Sequence, residues 1–330
     1  MSRRRKWLLG TVLAALAATA VVALFKADLR DARGRLEGRS ETIPTASGPM
    51  EYAVAGSGPP LLMIHGTGGG FDQGLLFSEK VAAHGVRVIS PSRFGYLRSS
   101  FPVDHSSEAQ ADAFVTLLDH LEIEKVVVAG GSAGALSAVQ FALRHPDRTS
   151  ALILIVPAAN VQGHDPNEMS PAQEWMVRRL VTSDFLYWSA RKVAPKQLIG
   201  FLLATDPALL GQVPADERDR AYRILDQMLP ISARWQGMLN DADLAGHPAK
   251  MDFHGLRIPT LIISAEDDRF GTAATSKVIA RQMPTSRLLV FPNGGHVLLG
   301  HDAESAREIA QFVKQHKHQV DIIEGRVVRW

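Results

Sequence analysis

The sequence predicts an α/β protein: a mostly parallel sheet with helices on both faces, a helical segment inserted into it, and an N-terminal transmembrane helix in front. Three observations carry this prediction. Short apolar runs rich in β-branched residues recur from residue 50 to residue 292. Most lack the apolar–polar alternation of a half-exposed strand, as parallel strands covered on both sides require. Helical patterns lie between these runs, and strand alternating with helix marks a doubly covered sheet with right-handed crossovers. From about 158 to 255 the strand signal stops, and the chain reads as helix rich in Met and Trp.

Residues 7–25, WLLGTVLAALAATAVVALF, are 19 consecutive residues without a charge. As a helix they span roughly 28 Å, close to the hydrocarbon thickness of a bilayer. A buried core helix seldom lacks a polar face, and this stretch offers only Gly10, Thr11 and Thr19. Residues 1–25 are therefore read as a membrane anchor. The run exceeds the roughly 7–15 residues of a signal h-region. Cleavage and export is the competing reading, because Ala15-Leu16-Ala17 and Ala18-Thr19-Ala20 resemble cleavage sites and Arg4-Arg5 loosely resembles a twin-arginine signal. The cluster Arg3, Arg4, Arg5, Lys6 predicts a cytoplasmic N-terminus and a domain outside the cytoplasm. Lys26, Arg30, Arg33, Arg35 and Arg39 on the other flank weaken that bias. Of 36 Lys and Arg residues, four lie in the first 25, leaving 32 against 34 acids. No basic domain remains to argue for nucleic acid. The chain has no cysteine, which rules out a thiolate nucleophile, Cys-ligated zinc and a disulfide scaffold.

Residues 26–48, KADLRDARGRLEGRSETIPTASG, read as a polar linker with a short edge strand near residues 42–45. Strands follow at MEYAVAG (50–56), LLMIHG (61–66), VRVISP (86–91), KVVVAGG (125–131), ALILIVP (151–157), TLIISAE (260–266) and RLLVFP (287–292). SSEAQADAFVTLLDHL (106–121) predicts a helix opened by a capping box, Ser107-x-x-Gln110, with Phe114, Leu117, Leu118 and Leu121 on its apolar face. ALSAVQFALRH (135–145) predicts another, ended by Pro146. Residues 49–157 and 256–318 then form the sheet domain and 158–255 a helical cap. The tail, 319–330, allows a short strand around Val320, Ile322 and Ile323, with Trp330 packed on the body.

The segment VVVAGGSAGALSA (126–138) runs from a strand into glycines around one serine. A dinucleotide fingerprint needs G-x-G-x-x-G, but Ser132 and Ala135 stand where the second and third glycines belong. A P-loop needs Lys-Ser/Thr after its last glycine, and none follows. The segment instead reads Gly130-Gly131-Ser132-Ala133-Gly134, a G-x-S-x-G turn between strand and helix. Side chains two residues before and after such a serine would collide, and glycine at 130 and 134 removes the crowding. The following helix points its N-terminus at charge developing near Ser132.

A serine hydroxyl needs a base. Twelve histidines compete for that role. His296, in PNGGHVLLG just after a strand and flanked by glycine, has the loop setting of a catalytic imidazole. His65, in MIHGTGGG, reads as a loop brace. His84, His105, His120, His145, His164, His247, His254, His301, His316 and His318 lack such settings. Asp267 and Asp268 both follow a strand, and either could orient His296. The oxyanion requires two donors: Ala133 N–H, next after the serine, and Thr67 N–H from HGTGGG (65–70), with Gly68 as the alternative. Gly66-x-Gly68 is followed by Phe71 where a nucleotide motif would need a third glycine.

Together these residues resemble the α/β-hydrolase superfamily. The matching pieces are IHGTGGG (64–70), with His65 and Gly66, PSRFGYLRSS (91–100), VVVAGGSAG (126–134), PTLIISAEDD (259–268) and GGHVLLG (294–300). The resemblance covers roughly residues 50–316 and implies a mostly parallel eight-stranded sheet with the cap inserted after the sixth strand. The acid of the family usually closes a G-x-x-D pattern, which corresponds here to Ala265-Glu266-Asp267-Asp268 and points to Asp268; alanine in place of the glycine leaves Asp267 open. The RFGYLRSS segment has a largely structural role in the family. Branches with an aspartate nucleophile are disfavoured by Ser132.

The resemblance implies a serine hydrolase acting by acyl transfer to water through Ser132, His296 and Asp268, with no metal or organic cofactor. A small-molecule carboxylic ester with an apolar part is the expected substrate. Aminopeptidase, amidase, lactonase, haloperoxidase and carbon–carbon hydrolase chemistry are alternatives, and a non-catalytic binding protein of the same fold is the alternative of a different class. Trp175, Trp188, Trp235, Phe185, Tyr187, Met169, Met176, Met228 and Met238 are expected mainly to form the core of the cap, some of them lining an acyl pocket.

Overall fold

The computed structural model describes residues 3–161, 170–246, 248–249, 251, 253–317, 321–323 and 326–328. His164, Met169, His247, His318, Val320 and Trp330, named above, lie outside the described residues. One sheet organises the chain. Its strands are β1 (Glu41–Thr45), β2 (Gly48–Ala55), β3 (Pro60–Ile64), β4 (Arg87–Pro91), β5 (Val126–Gly131), β6 (Thr149–Ile155), β7 (Thr260–Ala265) and β8 (Ser286–Phe291). They stand in the order β1-β2-β4-β3-β5-β6-β7-β8. The β1–β2 and β2–β4 pairs are antiparallel and the rest parallel.

The apolar runs lack alternation because both faces are covered. Leu62, Ile64, Val128, Leu152 and Leu154 pack on one face with Phe114, Leu117, Val139 and Phe141 from two helices, Ser107–His120 and Gly134–Arg144. Leu61, Met63, Val127, Ala129 and Ile153 pack on the other with Ile309, Phe312 and Val313 of the helix Asp302–Gln315. The register pairs Ile64 with Gly130 and Gly131 with Ile155. The loops leaving β3, β5 and β6 therefore emerge side by side at one edge of the sheet, where sites form in parallel α/β folds.

One capping prediction shifts by a residue. Ser106 caps the helix, its hydroxyl accepting from Ala109 N–H at 3.1 Å, while Gln110 accepts from Phe94 N–H at 2.6 Å. Gln110 therefore anchors the loop after β4.

Between β6 and β7 the described chain is helical: Pro171–Val181, Asp184–Val193, Pro195–Leu202, Ala215–Gln227 and Trp235–Gly246. These helices share a cluster containing Tyr187, Trp188, Ile199, Ile224 and Met228. Trp175, Met176, Phe185 and Trp235 are instead exposed.

The N-terminal helix runs unbroken from Arg3 to Gly34, past the uncharged run 7–25 and through the stretch expected to be a linker. Its composition explains this: Lys, Ala, Leu and Arg are good helix formers, and Phe25, Leu29 and Ala32 repeat at i, i+4 and i+7. That stripe packs on the helical insertion. Asp28 accepts from Trp188 Nε1 at 2.7 Å and pairs with Lys192 at 2.8 Å, and Arg35 donates to the Asp226 carbonyl at 2.7 Å. The helix is long and apolar enough to cross a membrane, and its apolar window is unburied. At the other end of the chain, Asp321–Ile323 and Arg326–Val328 pair as a separate antiparallel ribbon.

Candidate active site

Ser132 sits at the tip of β5 with φ of 52°, a left-handed backbone rare for a residue with a side chain. The turn is tight enough that a Cβ on Gly130 would lie 2.6 Å from the Gly134 carbonyl oxygen, and one on Gly134 would lie 2.5 Å from the carbonyl oxygens of Ile64 and His65. Glycine at both positions lets the strand turn into the helix Gly134–Arg144 while the helix touches β3. Ser132 N–H is tied to the Ile155 carbonyl at 2.9 Å, which fixes the turn to the neighbouring strand.

Ser132 Oγ lies 2.8 Å from His296 Nε2, and His296 Nδ1 lies 2.9 Å from Asp268 Oδ2. The three residues selected from 330 are thus one continuous hydrogen-bonded chain. Asp268 is buried, yet its carboxyl is held below its ordinary value. Burial would push it up, but the His296 imidazole outweighs that, assisted by donation from Thr272 Oγ1 and Phe270 N–H. Asp267 points its carboxylate at backbone instead. It accepts from Gly295 N–H at 2.8 Å and Gly294 N–H at 3.3 Å, fastening the loop that carries His296. Gly294 and Gly295 have φ of 122° and 59°, so the loop can double back over Asp267. The Phe270 ring meets the His296 ring edge-on at 4.9 Å.

The loop after β3 arches over the serine. A Cβ on Gly66 would touch Ser132 Cβ at 3.0 Å. Among the described residues, the N–H groups of Thr67 and Ala133 are unspent on other protein acceptors, and both residues line the same cavity as Ser132. Gly68 N–H, the alternative donor, is engaged by Tyr96 Oη at 3.3 Å. His65 is fully buried, with Nδ1–H donating to the Gly66 carbonyl at 2.7 Å and Nε2 accepting from Arg93 N–H at 3.0 Å. Burial, and then the Arg93 charge, push its imidazole well below the usual value, so it stays neutral and braces the loop.

The contacts that join cap to core are contained in none of the sequence motifs. Arg93 forms a two-pronged pair with Asp241 at 2.6 and 2.5 Å, and Tyr96 donates to the same carboxylate. Arg234 pairs with Asp72 and donates to the Gly69 carbonyl. Arg220 pairs with Glu217 and donates to the carbonyls of Val297 and Leu298, directly after His296. Each partner lies far off in sequence or looks like an ordinary surface charge, so no local signal reveals them.

A cavity of about 700 Å³ opens above Ser132. Val177, Val181, Phe201, Ile224 and Met238 line it from the insertion, and Phe270 from the core. Of the bulky cap residues singled out from the sequence, Met238 lines the cavity, whereas Tyr187, Trp188 and Met228 belong to the cap core.

Comparison with known proteins gives the same frame. The chain is 38% identical over 116 residues to the uncharacterized hydrolase YcgS of Bacillus subtilis, a match that takes in 35% of this chain but only 40% of that protein. It is 27% identical over 256 residues to a 2-hydroxy-6-oxo-6-phenylhexa-2,4-dienoate hydrolase of Burkholderia cepacia, covering 73% of this chain and 82% of the relative. Its fold is similar to that of a membrane phospholipase A described as a bacterial virulence factor, with a TM-score of 0.62 and 20% identity over 94% of this chain and 98% of the other. The family pattern of the alpha/beta hydrolase fold matches residues 59–302, from β3 to the loop beyond His296, and the chain belongs to that family.

Proposed function

We propose that the protein is a membrane-anchored serine hydrolase that cleaves carboxylic esters with an apolar acyl or alcohol part. The observation that carries this reading is the 2.8 Å contact between Ser132 Oγ and His296 Nε2 at the floor of a largely apolar cavity. His296 takes the hydroxyl proton as Ser132 Oγ attacks the ester carbonyl. Asp268 holds the Nδ1–H tautomer and balances the imidazolium. The oxyanion is received by Thr67 and Ala133 N–H, whose positions beside the serine suit donors preorganised for developing charge. His296 then protonates the leaving alcohol, and water, deprotonated by the same imidazole, releases the acid.

The relative named as a dienoate hydrolase favours a second reading, cleavage of a carbon–carbon bond next to a ketone. Such a substrate carries a carboxylate, for which a cavity cation would be the natural partner. Both arginines among the described lining residues are already paired, Arg220 with Glu217 and Arg269 with Asp206. That supports a neutral substrate and hence the ester.

The test is labelling of the full chain by a fluorophosphonate, followed by turnover of p-nitrophenyl esters from acetyl to decanoyl. Labelling and turnover should both vanish in Ser132→Ala, and turnover should rise with acyl length. Labelling that persists in Ser132→Ala overturns the nucleophile assignment. Turnover of a 2-hydroxy-6-oxo-dienoate in preference to every ester overturns the substrate class.

A further inference from the structure

The outer face of the helical insertion exposes bulky apolar side chains close to the point where the N-terminal helix loses its apolar character. Trp175 and Met176 on the helix Pro171–Val181 are 63% and 47% exposed, and Phe185, Leu186 and Val193 on the helix Asp184–Val193 are 42%, 46% and 85% exposed. Isolated exposed apolar residues need no explanation, but these five lie on two consecutive helices. The helix Pro171–Val181 is apolar on two sides, since Val177 and Val181 face the cavity above Ser132 while Trp175 and Met176 face out.

Phe25 is the last residue of the uncharged run 7–25. Its ring meets Phe185 edge-on at 5.3 Å and Trp188 at 5.5 Å. The apolar face of the insertion thus begins at the level where the apolar run ends. Basic residues lie on these same helices: Arg179, whose guanidinium covers the Trp175 ring at 5.6 Å, Lys192, which pairs with Asp28, and Lys26, Arg30 and Arg33 on the N-terminal helix. Aromatic and aliphatic side chains bordered by Arg and Lys match the interfacial zone of a bilayer with anionic headgroups.

The geometry points to this face as a membrane-seating surface: Trp175, Met176, Leu186 and Val193 enter the headgroup zone of an anionic bilayer, one helix away from the active-site cavity. Phe201 of the helix Pro195–Leu202 lines the same cavity and is itself 39% exposed. The inference rests on the proposed reading of residues 7–25 as an anchor, and it adds that the catalytic unit lies against the lipid rather than hanging clear of it.

The chain has no cysteine, so single reporters are clean. Met176→Cys, Leu186→Cys and Val193→Cys, each in the full chain, carry an environment-sensitive fluorophore. Leu16→Cys reports on the anchor, and Asp147→Cys, at the opposite end of the sheet, reports on free solvent. The proteins are reconstituted into vesicles of equal parts phosphatidylcholine and phosphatidylglycerol and challenged with aqueous iodide. The proposal expects the first three labels to be quenched at least about threefold less than Asp147→Cys, as burial among headgroups requires, and less well shielded in pure phosphatidylcholine. Shielding of Leu16→Cys with full quenching at 176, 186 and 193 overturns the seating surface while leaving the anchor intact. Quenching at Leu16→Cys overturns both. Shielding that grows with protein density in the vesicle identifies a second copy as the occupant and also overturns it. None of these readouts depends on turnover, so failure of the ester assignment is separate. As a functional arm, the triple variant Met176→Asp, Leu186→Asp, Val193→Asp should keep its rate on a water-soluble acetyl ester and lose about tenfold or more on an ester dispersed in the vesicles; equal rates in both assays overturn the role in access.

Discussion

Arg234 of the helical insertion holds Asp72 of the core with both terminal nitrogens, at 3.0 and 2.8 Å, and its Nη1 also donates to the Gly69 carbonyl. Arg234 is fully buried and Asp72 nearly so. The pair joins the cap to the loop that carries Thr67. Replacing one member leaves the other as an unpaired buried charge, which costs roughly 3–5 kcal/mol. Arg234→Met and Asp72→Asn should each lower the unfolding free energy by that order, read from urea titration of detergent-solubilised protein. The double replacement Asp72→Leu, Arg234→Met should recover much of the stability but not the turnover, because Gly69 has lost its tether. Equal activity in the double variant and the wild type would show that the pair serves stability alone.

Gly134 begins the helix after Ser132, where alanine would ordinarily be favoured by about 1 kcal/mol. Here a Cβ would meet the carbonyl oxygens of Ile64 and His65 at 2.5 Å, and both belong to backbone that cannot swing away. Gly134→Ala should therefore lose about 1–3 kcal/mol by overpacking, and it should slow turnover by displacing the loop after β3. Gly211→Ala, where a Cβ meets nothing within 4 Å, is the control and should stay within about 0.5 kcal/mol of wild type in thermal unfolding.

The sheet was legible because each strand is a short, doubly buried apolar run, and β7 coincides with the start of TLIISAE to within a residue. The serine turn was legible because its glycines are demanded by local geometry. What stayed hidden depends on distant partners. Residues 26–34 read as a polar linker by composition, yet Phe25, Leu29 and Ala32 form a stripe whose meaning appears only once the insertion is packed against it. Trp175 and Met176 look like cap core in a one-dimensional reading, but their helix turns Val177 and Val181 inward instead. Asp267 and Asp268 are hard to separate by sequence because they are adjacent; the fold gives one to the imidazole and the other to the loop backbone.

Acid sensitivity should follow Glu217. Its carboxyl is held below its ordinary value: burial would raise it, but the Arg220 charge and Gly300 N–H prevail. A carboxyl depressed in the fold binds its proton more weakly there than in the unfolded chain. Its stabilisation is therefore complete above the ordinary value of 4.5 and is lost as pH falls through the lower folded value. The thermal midpoint should be flat in this contribution above about pH 6 and should drop below about pH 4.5. Glu217→Gln should be less stable at neutral pH and show a shallower acid slope. A variant whose acid slope equals that of the wild type would remove Glu217 from this role.

Asp268 and Asp267 make the sharpest contrast, being neighbours with different contacts. Asp268→Asn keeps the shape but presents an amide that no longer fixes the Nδ1–H tautomer of His296 or balances its charge. A loss of kcat on the order of 10⁴-fold is expected, with KM little changed. Asp267→Asn removes the charge from an acceptor of two backbone N–H groups, so the His296 loop should loosen without losing its chemistry. That variant should fall by about tenfold at most and should show a lower thermal midpoint, as the loss of a charge-assisted acceptor predicts. Steady-state kinetics on one ester with both variants checks the pair. A larger loss in Asp267→Asn than in Asp268→Asn would reverse the assignment and make Asp267 the partner of the imidazole during turnover.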